Sequence, residues 1–211
     1  MLKTKFPVSV DKISRKIGLF FSKLPISPNV WTIMSIIPGI LGFVALVYHQ
    51  MLLGFILFFI SGFFDAIDGG VARVTKSVTK LGGYLDGIID RIIEGLLLIG
   101  LLLFGLPDLV IFGYTTPVYL WISLQLFIGT VLVSYARAYA DHKKIITDEK
   151  LLKKIPGILE RTERLFLIGA GMLLYYLKPI YTTYIIFIDV ILSVITFLQR
   201  VLFVIEHGVK K

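Results

Sequence analysis

Two aspartates three residues apart, Asp65 and Asp68, close an apolar run in the stretch FFDAIDGGVAR, and Asp86 and Asp90 stand four apart in GGYLDGIIDR. On a helix each pair projects from one face, because residues three and four apart are surface neighbours. A short basic turn separates the two stretches, so the helices should run antiparallel and bring four carboxylates to similar depth. Ionised carboxylates side by side in an apolar medium are costly and repel one another. Divalent cations are the simplest way to neutralise them. The donors are hard oxygens with no histidine or cysteine in either stretch, which favours Mg²⁺ or Mn²⁺ over zinc. Four carboxylates can hold two such ions, the arrangement that clamps attacking and leaving oxygens in phosphoryl transfer. Gly69 and Ala72, with Gly82 one turn before Asp86, remove bulk beside the carboxylates, and Arg73 supplies a permanent positive charge suited to a diphosphate.

The elements that must carry these residues belong to a membrane. The chain has 211 residues, 56% of them hydrophobic, and a mean hydropathy of +0.87, far above a soluble domain. Apolar stretches recur along nearly its whole length, so the expected fold is all-α and integral to the membrane, one domain over residues 1–211. Six transmembrane helices are expected at about 30–48, 51–73, 80–105, 116–138, 160–178 and 180–204. An amphipathic juxtamembrane helix at about 9–22 precedes them, with basic and apolar residues alternating at helical spacing. No cleavable signal peptide is expected, because a long basic segment precedes the first apolar run.

Placing the N-terminus inside puts Lys3, Lys5, Lys12, Arg73, Lys76, Lys80, the 137–164 cluster, Arg200, Lys210 and Lys211 in the cytoplasm. The outer turns then hold only Lys178, so a multi-pass cell-membrane protein with both termini and its site cytoplasmic is expected. The net charge of +8 is accounted for by this distribution, and no nucleic-acid partner is expected. With no cysteine, disulfides and thiolate metal sites are excluded.

Written out, the pattern Asp65-x2-Asp68-Gly69-x2-Ala72-Arg73-x8-Gly82-x3-Asp86-x3-Asp90 resembles the signature of the CDP-alcohol phosphotransferases at every position. The resemblance implies transfer of a phosphoalcohol or phosphatidyl group from a CDP-linked donor to an acceptor hydroxyl, with release of CMP, by a homodimer. It assigns Asp65, Asp68 and Asp86 as metal ligands and Asp90 as general base that also touches the second metal. It places Gly69, Ala72, Arg73 and Gly82 around the CDP moiety. SPNVWT resembles the family's P-N-x-x-T element, which would bring Asn29 and Thr32 to the nucleotide; Ser27, Pro28 and Asn29 also make an ordinary helix start.

The acceptor is read from arginines. SYARAYA, ERTER and ITFLQR place Arg137, Arg161, Arg164 and Arg200 at the inner ends of the last three spans. Singly, each reads as a positive-inside residue reaching lipid headgroups. Their surroundings resemble the branch of the family that uses inositol phosphate, in which residues matching Arg137, Arg164 and Arg200 bind the acceptor's phosphate. Arg161 could instead pair with Glu160 or Glu163 in a helix cap. That branch usually carries a second basic residue where this chain has Tyr139.

The expected reaction joins CDP-diacylglycerol or CDP-archaeol to inositol 1-phosphate with Mg²⁺ or Mn²⁺, two ions, in a bilayer whose lipids are its other partners. Glycerol 3-phosphate as acceptor and CDP-inositol as donor are the rivals within the class. A membrane cation transporter is the rival outside it; against it, the outer halves of the second and third spans, MLLGFILFF and LLLIGLLLFG, carry no polar path.

Overall fold

The computed structural model describes residues 7–148, 151–152 and 154–208, with side chains from residue 14 onward. Lys3, Lys5, Lys210 and Lys211, and the side chain of Lys12, lie outside that description. The chain packs as two compact units that divide at Phe104 and Gly105.

The first unit contains α1 (Pro7–Phe21), α2 (Pro28–Met34), α3 (Ile36–Val47), α4 (Met51–Val74) and α5 (Lys80–Phe104). The first expected span is thus two helices rather than one. Pro38 is the cause: it has no N–H for the Met34 carbonyl, and its ring crowds the preceding turn. The polar groups at the break are satisfied locally. Ser35 Oγ donates to the Thr32 carbonyl at 2.6 Å, and Ser61 Oγ of α4 donates to the Ser35 carbonyl at 2.7 Å. Helix α3 packs on both α4 and α5, whereas α4 and α5 share only a short direct contact. Leu46 of α3, fully buried, fills notches left by Gly54 of α4 and Gly100 of α5; a Cβ at either glycine would stand 2.8 Å from its side chain. Near the other end Trp31, Ile67 and Val71 form a buried cluster, with Ile17 and Phe21 of α1 packed against it.

Two turns orient this unit. His49 follows α3 with a positive φ of 57°, and its Nδ1 lies 3.0 Å from the Phe104 carbonyl at the end of α5. After α4, Lys76 takes a positive φ of 55° and the Ser77 N–H returns to the Ala72 carbonyl at 3.0 Å, ending the helix. Thr79 then caps α5, its Oγ1 accepting from the Gly82 N–H at 3.0 Å.

The second unit opens with a hairpin, β1 (Leu109–Ile111) against β2 (Tyr114–Thr116). It continues through α6 (Val118–Leu124), a π-helical segment (Gln125–Leu132), α7 (Val133–His142), α8 (Arg161–Leu174) and α9 (Ile180–Gly208). Asp108 Oδ1 accepts from the Val118 N–H at 2.9 Å, which starts α6. Leu109, Ile122, Ile168, Met172, Ile186 and Val190 are buried in this unit. Helix α8 stops at Leu174, short of the expected 178, and the Leu177 and Lys178 N–H groups turn back to the Leu174 carbonyl at 3.0 and 3.2 Å.

Among the described residues four helical stretches are long and apolar enough to cross a membrane: Pro28–Val47 (α2 and α3 together), Met51–Val74, Val118–His142 (α6 through α7) and Ile180–Gly208. Helix α5 has 25 residues, but Asp86, Asp90, Arg91 and Glu94 interrupt its apolar character. Helix α8, at 14 residues, is about 21 Å long.

The hairpin turn is made by Phe112 and Gly113, both at positive φ (50° and 83°), and the Phe112 ring is 97% exposed. A bulky residue in that conformation, with its ring uncovered, would be doubly unfavourable in water. The hairpin leads within two residues into a membrane-length helix. A single cysteine at position 112 of this cysteine-free chain, carrying a polarity-sensitive dye, is therefore expected to show blue-shifted emission in liposomes. Water-like emission would mean that the ring stays outside the lipid interface.

Candidate active site

The last three turns of α4 carry Asp65 and Asp68, and the first three turns of α5 carry Asp86 and Asp90. One oxygen each from Asp65, Asp68 and Asp86 can be chosen so that all lie within 4.8 Å of one another. Asp90 stands one turn further along α5, outside that group, with its Oδ2 3.9 Å from the Arg91 guanidinium. Three of the four expected carboxylates are thus gathered, and the fourth is about 6 Å deeper along the same helix.

Asp68 is the most enclosed of the three, 6% exposed. Thr32 of α2 and the Gly69 N–H hydrogen-bond its carboxylate, while its Oδ2 is buried with no hydrogen-bond partner among the described residues. The Thr32 hydroxyl has one hydrogen and also lies 3.2 Å from the Pro28 carbonyl, so it can serve only one acceptor at a time. A buried carboxylate oxygen without a donor, facing two other carboxylates, is a poor arrangement for anions alone and a good one for a cation. The donor set, three carboxylates and neighbouring hydroxyls, suits Mg²⁺ or Mn²⁺.

The small residues let polar side chains close in beside this group. A Cβ on Gly82 would stand 3.0 Å from Asn29 Oδ1 and from Thr79 Oγ1, so glycine lets Asn29 approach the start of α5. Asn29 and Thr32, three apart on α2, therefore reach α5 and α4 respectively. A Cβ on Gly69 would stand 3.5 Å from the Arg73 guanidinium, which folds back along α4. Ala72 is half-buried and Arg73 exposed. Arg73 Nη2 also donates to Ser14 Oγ of α1, a contact that sequence reading did not anticipate. Its signal was present as Ser14-Arg-Lys-Ile-Gly18, a small-xxx-small spacing.

In the second unit, Arg164 on α8 is 1% exposed, and Arg200 on α9 is also buried. Arg200 Nη1 donates to the Val133 carbonyl at 2.6 Å, and its Nε points at the Pro156 carbonyl at 3.4 Å. Arg137 stands one turn beyond Val133 on α7 and is exposed, as is Tyr139, whose ring stacks on Tyr135 at 4.9 Å. Arg161 is the first residue of α8, half-buried. Glu160 and Glu163 form a reciprocal capping box there, with the Glu160 N–H donating to Glu163 Oε2 at 2.9 Å.

A mostly helical fold with membrane-length stretches thus gathers three carboxylates where two helix ends meet. The chain belongs to the CDP-alcohol phosphatidyltransferase family, whose model matches residues 25–195 and so spans both units. It is 31% identical to the archaetidylinositol phosphate synthase of Pyrococcus horikoshii over 94% of each chain. Identity with the phosphatidylinositol phosphate synthase of Mycolicibacterium smegmatis is 27%, over 90% of this chain and 82% of the relative. A bifunctional IPC transferase and DIPP synthase of Thermococcus kodakarensis is 30% identical over 74% of this chain and 35% of its own length. Among solved structures, the Mycobacterium tuberculosis phosphatidylinositol phosphate synthase with CDP-DAG bound shares the fold, with a TM-score of 0.73 and 24% identity over 92% of this chain and 94% of that one. The same mycobacterial enzyme has been solved with manganese and citrate. The protein is therefore a CDP-alcohol phosphatidyltransferase of phospholipid biosynthesis.

Proposed function

We propose that the protein transfers the phosphatidyl or archaetidyl group of a CDP-lipid to inositol 1-phosphate, releasing CMP. The observation that carries this reading is the carboxylate triad with its buried, donor-less Asp68 oxygen, near the helix start where Gly82 lets Asn29 approach. Likeness to synthases named for archaetidylinositol phosphate and phosphatidylinositol phosphate supports the acceptor.

In this reading Asp65, Asp68 and Asp86 hold a divalent cation, Mg²⁺ or Mn²⁺, and Asp90 completes a two-ion site. When bound, the cations offset negative charge on the diphosphate and on departing CMP. Asn29, Thr32, Gly69, Ala72, Arg73 and Gly82 bind and orient the CDP group. An inositol hydroxyl oxygen attacks the lipid-side phosphorus, and the bond from that phosphorus to the CMP oxygen breaks. Asp90 accepts the hydroxyl proton. Arg164 and Arg200 bind the acceptor's phosphate with Arg137 and Arg161 beside them, because guanidinium groups match phosphate oxygens in geometry and charge.

The proposed setting is a homodimer with six membrane crossings, α5 and α8 included, both termini cytoplasmic and α1 on the inner surface. For α1, the exposed Arg15, Lys16, Leu19 and Phe20 support surface contact with lipid. A second reading keeps the site and takes CDP-inositol as donor; the identity with the bifunctional Thermococcus protein favours it.

The test is CMP release by purified protein given CDP-lipid, Mg²⁺ or Mn²⁺, and inositol 1-phosphate, inositol, glycerol 3-phosphate or serine in separate reactions. Release with inositol 1-phosphate that EDTA abolishes and excess Mg²⁺ restores is the expected result. Release with glycerol 3-phosphate alone would overturn the acceptor assignment and leave the aspartate chemistry standing.

A further inference from the structure

We infer that Ser14 of α1 is a positioning residue for Arg73, which makes the N-terminal helix part of the donor site. Three observations meet at this contact. First, α1 crosses α4 at a glycine pair with almost no separation: a Cβ on Gly70 would stand 2.8 Å from the Ser14 carbonyl and 3.1 Å from the Gly18 nitrogen. A Cβ on Gly18 would collide with the Gly70 carbonyl oxygen. Two helices this close have their mutual placement fixed by backbone contact, without the play of long side chains. Second, Ser14 lies one turn before Gly18 on α1, and Arg73 lies three residues after Gly70 on α4. Each faces the same crossing, and the crossing sets the distance between them. Third, the Arg73 guanidinium donates to Ser14 Oγ through Nη2 and lies over Gly69, with Nη2 and Nη1 at 3.5 and 3.6 Å from where a Cβ would stand.

An exposed arginine on a helix end samples many rotamers, and holding it in one costs side-chain entropy at the moment a ligand binds. The Ser14 hydroxyl accepts one guanidinium N–H and so pre-orders the fork over Gly69, leaving the remaining donors for phosphate oxygens. This function is distinct from any membrane attachment of α1, which uses the helix face turned away from α4.

The inference rests on the reading of Arg73 as a diphosphate ligand, and the test separates the two. The dissociation constant of CDP in the presence of Mn²⁺ is measured for wild-type, S14A, S14T, R73A and S14A/R73A proteins in nanodiscs, together with kcat and acceptor KM for S14A. Expected are CDP binding weakened about three- to tenfold in S14A, recovery in S14T, and no further loss when S14A is added to R73A. In S14A, kcat and acceptor KM should stay within about twofold of wild type. R73A weakened with S14A unchanged would overturn the positioning role alone. Equal losses from S14A with and without Arg73, or no recovery in S14T, would show that Ser14 acts only through packing. R73A binding CDP as wild type does would overturn the reading beneath it. As a second variant, Gly18→Val should weaken CDP binding at least as much as S14A; a folded G18V with unchanged binding would overturn the role of the helix crossing.

Discussion

Asp68→Asn is expected to lower kcat by about three orders of magnitude and to abolish the rise in thermal stability expected of the wild-type protein on addition of Mn²⁺. Asparagine keeps the shape and can still accept a hydrogen bond from Thr32, so the fold should survive the change. It removes the charge of the most deeply buried member of the triad. In the wild type, a cation that binds only the folded state adds stability as its concentration rises. Loss of both effects together places the metal at Asp68. An inactive variant that Mn²⁺ still stabilises would put the ion elsewhere. Asp90→Asn separates the roles: kcat should fall comparably, while the stabilisation by Mn²⁺ should persist in part, because Asp90 lies outside the gathered oxygens.

The second large effect is expected at the acceptor arginines. Arg164→Ala and Arg200→Ala should raise the KM for inositol 1-phosphate about 10- to 100-fold, with the CDP-lipid KM near wild type. Both side chains are buried, so stability must be read alongside. Arg200 also bonds the Val133 carbonyl, and its loss alone could loosen α7. Selectivity resolves the ambiguity. A wild-type preference for phosphorylated over free inositol should collapse in the variants if the guanidinium groups bind phosphate, and should survive if they only brace helices.

Much of the site was readable in the sequence because its geometry is helical. Spacings of three and four put Asp65 with Asp68 and Asp86 with Asp90 on shared faces, and a basic turn between apolar runs implied the reversal that brings α4 and α5 together. The chain order did not show that α2 and α3 would bridge them. Asn29 and Thr32 reach α5 and α4 from α2, the short helix before the break at Ser35, and hydropathy alone does not register that break. Nor does helical spacing give depth: Asp90 shares a face with Asp86 and still falls outside the gathered oxygens.

The hairpin was missed for a different reason. LVIFGYTT has the β-branched and aromatic content of two short strands around a two-residue turn, but an apolar chain of this kind draws attention to helices. The π-helical segment has a subtler cause. Gly129 has no side chain to hold off the Gln125 amide, which instead reaches Ser193 of α9 at 3.2 Å. That exchange depends on tertiary packing and leaves no periodic trace.

The notch that holds Leu46 has a mechanical consequence. Gly54 precedes Asp68 by fourteen residues and Gly100 follows Asp86 by fourteen, about 21 Å along each helix. Leu46 grips α4 and α5 at these points like the jaw of a vice. The carboxylate ends are then the tips of two tines clamped at the far end by Leu46 and bridged near the tips by α2, so their gap is set from both places. A side chain introduced at Gly100 would splay the clamp and be felt at the tips as a changed gap between Asp68 and Asp86, far from the residue that was altered.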